Sequence, residues 1–283
     1  MSGRPESAEV VARLWAANRT AVDAVGFALA DVARAADAIA ERLREGGRWF
    51  DVGAGTSGRL GVLDASELPP TFGIPETLVV GLIAGGDAAL RRSVEGAEDD
   101  EAAGVRDLEA AGLTALDVVL GIAASGTTPY VLAAVAHARA KGALTLGLSC
   151  TPGTPLLTIV HVPLLVDVGP EVVRGSTRLK AGTAQKLVLN MLSTAALARL
   201  GLVWRDEMVA MRPTNSKLRA RATRIVSSLL AVPGEEALRL LEEAAWSLPV
   251  ALVCGRWGIS PAQAARRLEA TGNDVARALE EAP

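Results

Sequence analysis

Histidine and cysteine are nearly missing from this chain, at two residues each among 283. His137, His161, Cys150 and Cys254 cannot assemble a zinc or di-metal constellation, and they are far too few for a disulfide scaffold. No Ser/His/Asp arrangement is suggested either, which disfavours a serine hydrolase. No metal and no cofactor is therefore expected. Aromatic residues are also scarce, with five Trp, three Phe and one Tyr, so the core must be built from Ala, Leu and Val. A basic excess is missing too: the formal charge is −3, against the basic surface that nucleic-acid binding needs. No run of about 18 uninterrupted apolar residues occurs, so no membrane span is expected. The start, MSGRPESAEV, has no apolar core behind a basic end, and the expected location is the cytoplasm.

Half of the residues are hydrophobic, enough for a large domain and a small one. Apolar residues recur at helical spacing from 8 to 45, which reads as one helix. Short apolar runs then follow at 49–53, 78–84, 118–123, 144–148 and 160–166, most of them separated by helical stretches. That alternation predicts an α/β fold, with a mainly parallel sheet of about five strands between two helical layers. A long helix is expected at about 180–200, closed by Gly201. Beyond Pro233 only short helices are indicated, one of them started by Ser260-Pro261. The expected division is a helical segment at 1–45, a main domain at 46–232 and a small helical subdomain at 233–283.

Three turns rich in glycine and hydroxyls follow apparent strands. They are Gly53-Ala54-Gly55-Thr56-Ser57-Gly58-Arg59, Ala124-Ser125-Gly126-Thr127-Thr128-Pro129 and Gly175-Ser176-Thr177-Arg178. Small residues let the backbone approach an anion, hydroxyls donate to it, and a helix N-terminus adds N–H groups and a positive dipole end. Such residues also furnish ordinary strand-to-helix turns, so the number of these turns in one domain carries the inference. No nucleotide P-loop pattern is present. The G-x-G-x-x-G match at Gly53, Gly55 and Gly58 lacks the acidic residue that a dinucleotide ribose would need. A compact sugar phosphate suits these turns better, with Thr56, Ser57, Gly58, Arg59, Ser125, Gly126, Thr127 and Thr128 as candidate ligands.

Carboxylates form the second signal. Glu67 is expected near the end of a helix stopped by Pro69-Pro70, where the dipole disfavours its charged form, as suits a general acid. Glu95, Glu98, Asp99, Asp100 and Glu101 crowd into seven residues, and spacing alone does not select among them. A solvated acidic turn would look the same.

Four stretches carry a resemblance. DVGAGTSGRLGVLDASELPPTFG (51–73), LIAGGDAALRRSVEGAEDD (82–100), GIAASGTTPYV (121–131) and GSTRLKAGTAQKLVLNMLST (175–194) closely resemble the signatures of N-acetylmuramic acid 6-phosphate etherases. The likeness runs from about residue 45 to the C-terminus. It implies the sugar isomerase (SIS) fold, followed by a small helical region. It also implies a cytoplasmic lyase, usually a homodimer, that removes D-lactate from a phosphorylated amino sugar in cell-wall recycling. By the same resemblance Glu67 in DASE matches the acid and Glu98 in EGAE the base, with phosphate held at Ser57, Ser125 and Thr127 or Thr128. A non-catalytic phosphosugar-sensing regulator would keep the turns without needing both glutamates, and an aldose–ketose isomerase would need no acid for a lactyl ether. Two departures stand out. A short MSGRPESAEVVARLWAANRT replaces a longer segment rich in Thr, Glu, Arg and Asn, and Asp51 stands where the family more often has an apolar or aromatic residue.

Overall fold

The structure, a computed structural model, describes residues 5–282. It opens with two helices, α1 (Ser7–Phe27) and α2 (Leu29–Arg44), where the sequence indicates one. The break is at Ala28, whose N–H turns to Val25 O in a tightened i→i−3 bond. Gly26, a poor helix former, lies two residues upstream. Strands and helices then alternate: β1 (Trp49–Gly53), α3 (Gly55–Phe72), β2 (Val79–Ile83), α4 (Ala88–Arg91), α5 (Glu101–Ala110), β3 (Val118–Ile122), α6 (Pro129–Ala140), β4 (Leu144–Ser149), α7 (Pro155–Ile159), β5 (Val162–Leu165) and α8 (Lys180–Arg199). The chain ends in α9 (Ser216–Leu230), α10 (Gly234–Glu243), α11 (Leu248–Trp257), α12 (Pro261–Ala270) and α13 (Val275–Glu280).

The five strands form one parallel sheet in the order β2-β1-β3-β4-β5. This is the α/β architecture that the apolar runs indicate, and each run matches a strand to within two residues. Side chains alternate between the faces. Phe50, Val52 and Val119 pack with Leu108, Tyr130, Val131, Ala134 and Leu156 in one core, beneath α5 and α6. Trp49 and Asp51 point to the opposite face, where Gly61 of α3 packs against Asp51.

By compactness the chain divides into two units, one of residues up to Ser66 with Glu76–Ser193, the other of Glu67–Pro75 with the residues from Thr194 on. The second unit has its own core, including Trp204, Met211, Ile225, Leu241, Leu252 and Leu279. Three of its helices are capped by side chains: Asn215 on α9, a reciprocal Ser260–Gln263 box on α12, and Asp274 on α13.

Candidate functional site

Strand order locates the site. From β1 the chain crosses to β2 on one side, whereas from β3 it crosses to β4 on the other, so the connections diverge between β1 and β3. In open parallel sheets ligands bind at such a switch point, outside the carboxyl ends of the strands. Gly53 and Ile122 are paired in register at those ends, which sets the β1–α3 and β3–α6 turns side by side.

The first turn is tight because two glycines meet. A methyl at Gly53 would lie 2.6 Å from Gly58 N, and one at Gly58 would lie 2.7 Å from Gly53 O. Helix α3 starts at Gly55, so Thr56, Ser57 and Gly58 occupy its first turn; the Gly58 N–H already donates to Ala54 O at 3.2 Å, while the N–H groups ahead of it have no helical acceptor. Ser57 is buried and its Oγ donates to Gln185 Oε1 at 3.0 Å. Arg59 reaches Leu90 O (3.3 Å) and Arg92 O (3.5 Å), and so braces the segment after α4.

In the second turn Thr128 is the N-cap of α6 but makes no side-chain cap, and Pro129 fills the first helical position. Ser125 Oγ accepts from Thr127 N (3.3 Å) and Thr127 Oγ1 (3.0 Å). Gly126 has φ +63, and a methyl there would strike Thr154 Oγ1 at 2.1 Å, so only glycine fits. The third turn departs from expectation. The N–H groups of Lys180 and Ala181 at the start of α8 donate to the Glu171 carboxylate at 3.1 Å each, so those donors are taken by the protein itself.

The acidic cluster separates by role. Asp100 caps α5, accepting from Ala103 N at 2.9 Å, and that bond lowers its pKa. Glu95 and Glu98 line a cavity of about 360 Å³ with Gly55, Arg59, Ser93 and Gly96. Glu98 is thereby brought to the first turn. Glu67 does not line this cavity. Its helix runs on to Phe72 through Pro69 and Pro70, rather than stopping at them. Proline's fixed φ is helical, although each ring removes a donor and crowds the carbonyl four residues back, and Thr71 Oγ1 bonds Glu67 O at 2.7 Å in this last turn. A larger cavity of about 730 Å³ lies wholly within the second unit, lined by Phe72, Met211, Trp246 and Leu248 among others, with none of the candidate ligands.

Beneath the first turn is a buried polar group that sequence reasoning did not assemble. Asp64 of α3 accepts from Lys186 Nζ at 3.2 Å, and Gln185 holds Ser57. Asp51 is 1% exposed, and neither carboxyl oxygen has a hydrogen-bond partner. Burial first, and the Asp64 charge second, push its pKa well above the usual carboxylate value. The Trp49 indole N–H works weakly in the other direction, from outside hydrogen-bond geometry. The available signals were an aspartate inside an apolar strand and a Gln-Lys pair inside an apolar helix.

The family of the glucokinase regulatory protein N-terminal SIS domain matches residues 31–139. The N-acetylmuramic acid 6-phosphate etherase of Deinococcus radiodurans is 51% identical over 261 residues, covering 92% of this chain and 86% of that protein. The etherase of Salmonella typhi is 48% identical over 272 residues, covering 96% and 92%. Among solved structures, a phosphoheptose isomerase from Francisella tularensis superimposes with a TM-score of 0.52 at 18% identity, over 69% of this chain and 100% of its own. That last likeness concerns the fold.

Proposed function

The chain belongs to the N-acetylmuramic acid 6-phosphate etherase family, and we propose that it cleaves the C3 lactyl ether of that sugar. D-lactate is eliminated and water adds, giving N-acetylglucosamine 6-phosphate. The observation that carries this reading is the placement of Glu98 on a cavity shared with the phosphate-type turn at Gly55, in a chain about half identical to named etherases along most of its length.

The phosphate sits on the first turns of α3 and α6, held by Thr56, Ser57, Ser125, Thr127 and Thr128, while Gly58 and Gly126, whose own N–H groups bond Ala54 O and Ala123 O, shape the two turns. Backbone N–H groups and the two dipole ends do most of the work there. Arg59 shapes the cavity wall beside it. In the open-chain aldehyde the C2 proton is acidic because the carbonyl is adjacent. Glu98 takes that proton, the C2–H electrons form the C2=C3 bond, and the C3–O bond breaks. Glu67 gives its proton to the departing lactyl oxygen. Water then adds at C3 and C2 regains a proton. Two carboxyl groups in opposite protonation states suffice for this chemistry.

Along its own helix Glu67 stands about 18 Å from Gly55, at 1.5 Å per residue, further than a single phosphosugar reaches. The acid therefore comes from a second copy, in a homodimer. Val11, Trp15 and Val22 of α1, at 64%, 67% and 51% exposure, form an apolar row suited to such an interface. No described helix is long and apolar enough to cross a membrane, and we place the enzyme in the cytoplasm, in recycling of cell-wall amino sugar.

Turnover in deuterium oxide tests the chemistry. The product should carry deuterium at C2, and Glu98→Gln should abolish C2 exchange while Glu67→Gln slows ether cleavage and spares exchange. Exchange at the native rate in Glu98→Gln would remove Glu98 as the base.

A further inference from the structure

The N–H of Ser125 shares a peptide unit with the carbonyl of Ala124, and that carbonyl is held from behind by the loop after β4. Ala124 O accepts from Cys150 N at 3.0 Å and from Thr151 Oγ1 at 3.1 Å. A carbonyl oxygen has two lone pairs, so both are taken. A trans peptide is planar, with its N–H opposite its C=O. Holding Ala124 O toward the β4 loop therefore aims Ser125 N–H the other way, to the side of β3 on which β1 and the first glycine turn lie. Ser125 N makes no hydrogen bond among the described residues. The two donors on Ala124 O also polarise the shared peptide, which makes its N–H a stronger donor. Were this peptide to rotate, it would turn an acceptor toward a phosphate, which needs donors.

The loop that does the holding is itself knitted together by Ser149, buried at the end of β4. Ser149 Oγ accepts from Thr151 N at 3.2 Å and from Thr154 Oγ1 at 3.4 Å, and it donates to Thr151 O at 3.0 Å. Thr151 is thus fixed through both of its backbone polar groups, with its hydroxyl on Ala124 O. Leu156 N, at the far end of the same segment, bonds Gly126 O at 3.1 Å. The turn is gripped on each side of Ser125. Ser125 Oγ accepts from Thr127 N at 3.3 Å, and its own proton stays available to a ligand.

We propose that Thr151 is a positioning residue for the phosphate site: with Cys150 N, its hydroxyl holds the Ala124 carbonyl so that Ser125 N–H faces a phosphate oxygen. The inference rests on the reading that Ser125 belongs to the phosphate site. Because it concerns binding alone, it is tested without ether cleavage.

The experiment is calorimetric titration of the full-length protein with N-acetylglucosamine 6-phosphate. Thr151→Val keeps the side-chain shape and loses the donor, and it should raise Kd about threefold to tenfold, the range of one net hydrogen bond. Thr151→Ser keeps the hydroxyl and should bind as the wild type does. A spectroscopic readout, which a purely structural role would not move, comes from the Ser125 amide proton in isotope-labelled protein. It should shift downfield when the phosphosugar binds the wild type, and less far in Thr151→Val. Wild-type affinity in Thr151→Val overturns the inference, and so does a Thr151→Ser protein as weak as Thr151→Val. A Ser125 amide that does not move while the wild type binds phosphosugar overturns it too, and that readout decides alone if Thr151→Val does not fold. A wild-type protein that binds no phosphosugar overturns this inference together with the reading beneath it.

Discussion

Asp117, just ahead of β3, accepts hydrogen bonds from Arg48 N and Thr114 N at 2.7 Å each, from Arg48 Nη2 at 3.0 Å and from Thr114 Oγ1 at 3.1 Å. Burial acts to raise its pKa, but the bonds from Arg48 and Thr114 outweigh burial and hold it below the usual value. Asp51, on the neighbouring strand, has no such donors and shifts the opposite way. The signs separate the two experimentally. A carboxylate with a depressed folded pKa stabilises above its unfolded value, about pH 4, and that contribution is lost as pH falls through the folded value. Asp117→Asn should therefore cost about 1–3 kcal/mol near neutrality, and its melting temperature should converge on the wild-type value below about pH 4. A constant gap across that range would show that Asp117 is not held charged. Neither aspartate's role was legible in the sequence, because each depends on donors brought by distant segments. The glycine and hydroxyl turns were legible, because Gly53, Gly58 and Gly126 answer to local backbone geometry.

At the level of elements, the strands could be read from the chain because both faces of the sheet are covered, leaving short continuous apolar runs. What the sequence hid were local departures: the break at Ala28, the passage of α3 through Pro69-Pro70, and the capping of α8 by Glu171. Each is decided by a hydrogen bond that no periodicity announces. The length of α3 has a functional consequence, since it separates Glu67 from the turn at its own start. If the acid and the base of one site come from two copies, Glu67→Gln and Glu98→Gln subunits should complement. In an equimolar mixture about half the dimers are mixed, each with one intact site, so about a quarter of wild-type activity should return from two nearly inactive preparations. A mixture no more active than its parents would place both glutamates in the same subunit.

Across the whole molecule, the cavity beside Glu98 is the smaller of the two described above, and it is the one that lies with the glycine turn at the sheet's switch point. Size alone would have chosen the apolar cavity of the second unit. Charge, glycine geometry and position at the strand ends favour the smaller one, and the identity of roughly one half to named etherases runs through it. The central claim is that this surface removes a lactyl ether from a phosphorylated sugar. The most direct measurement is D-lactate release by the purified protein from N-acetylmuramic acid 6-phosphate, with the unphosphorylated sugar alongside. We expect stoichiometric D-lactate and N-acetylglucosamine 6-phosphate from the phosphorylated sugar and none from its counterpart. Tight binding of the phosphosugar with no lactate formed would contradict the account and leave a phosphosugar-binding protein in its place.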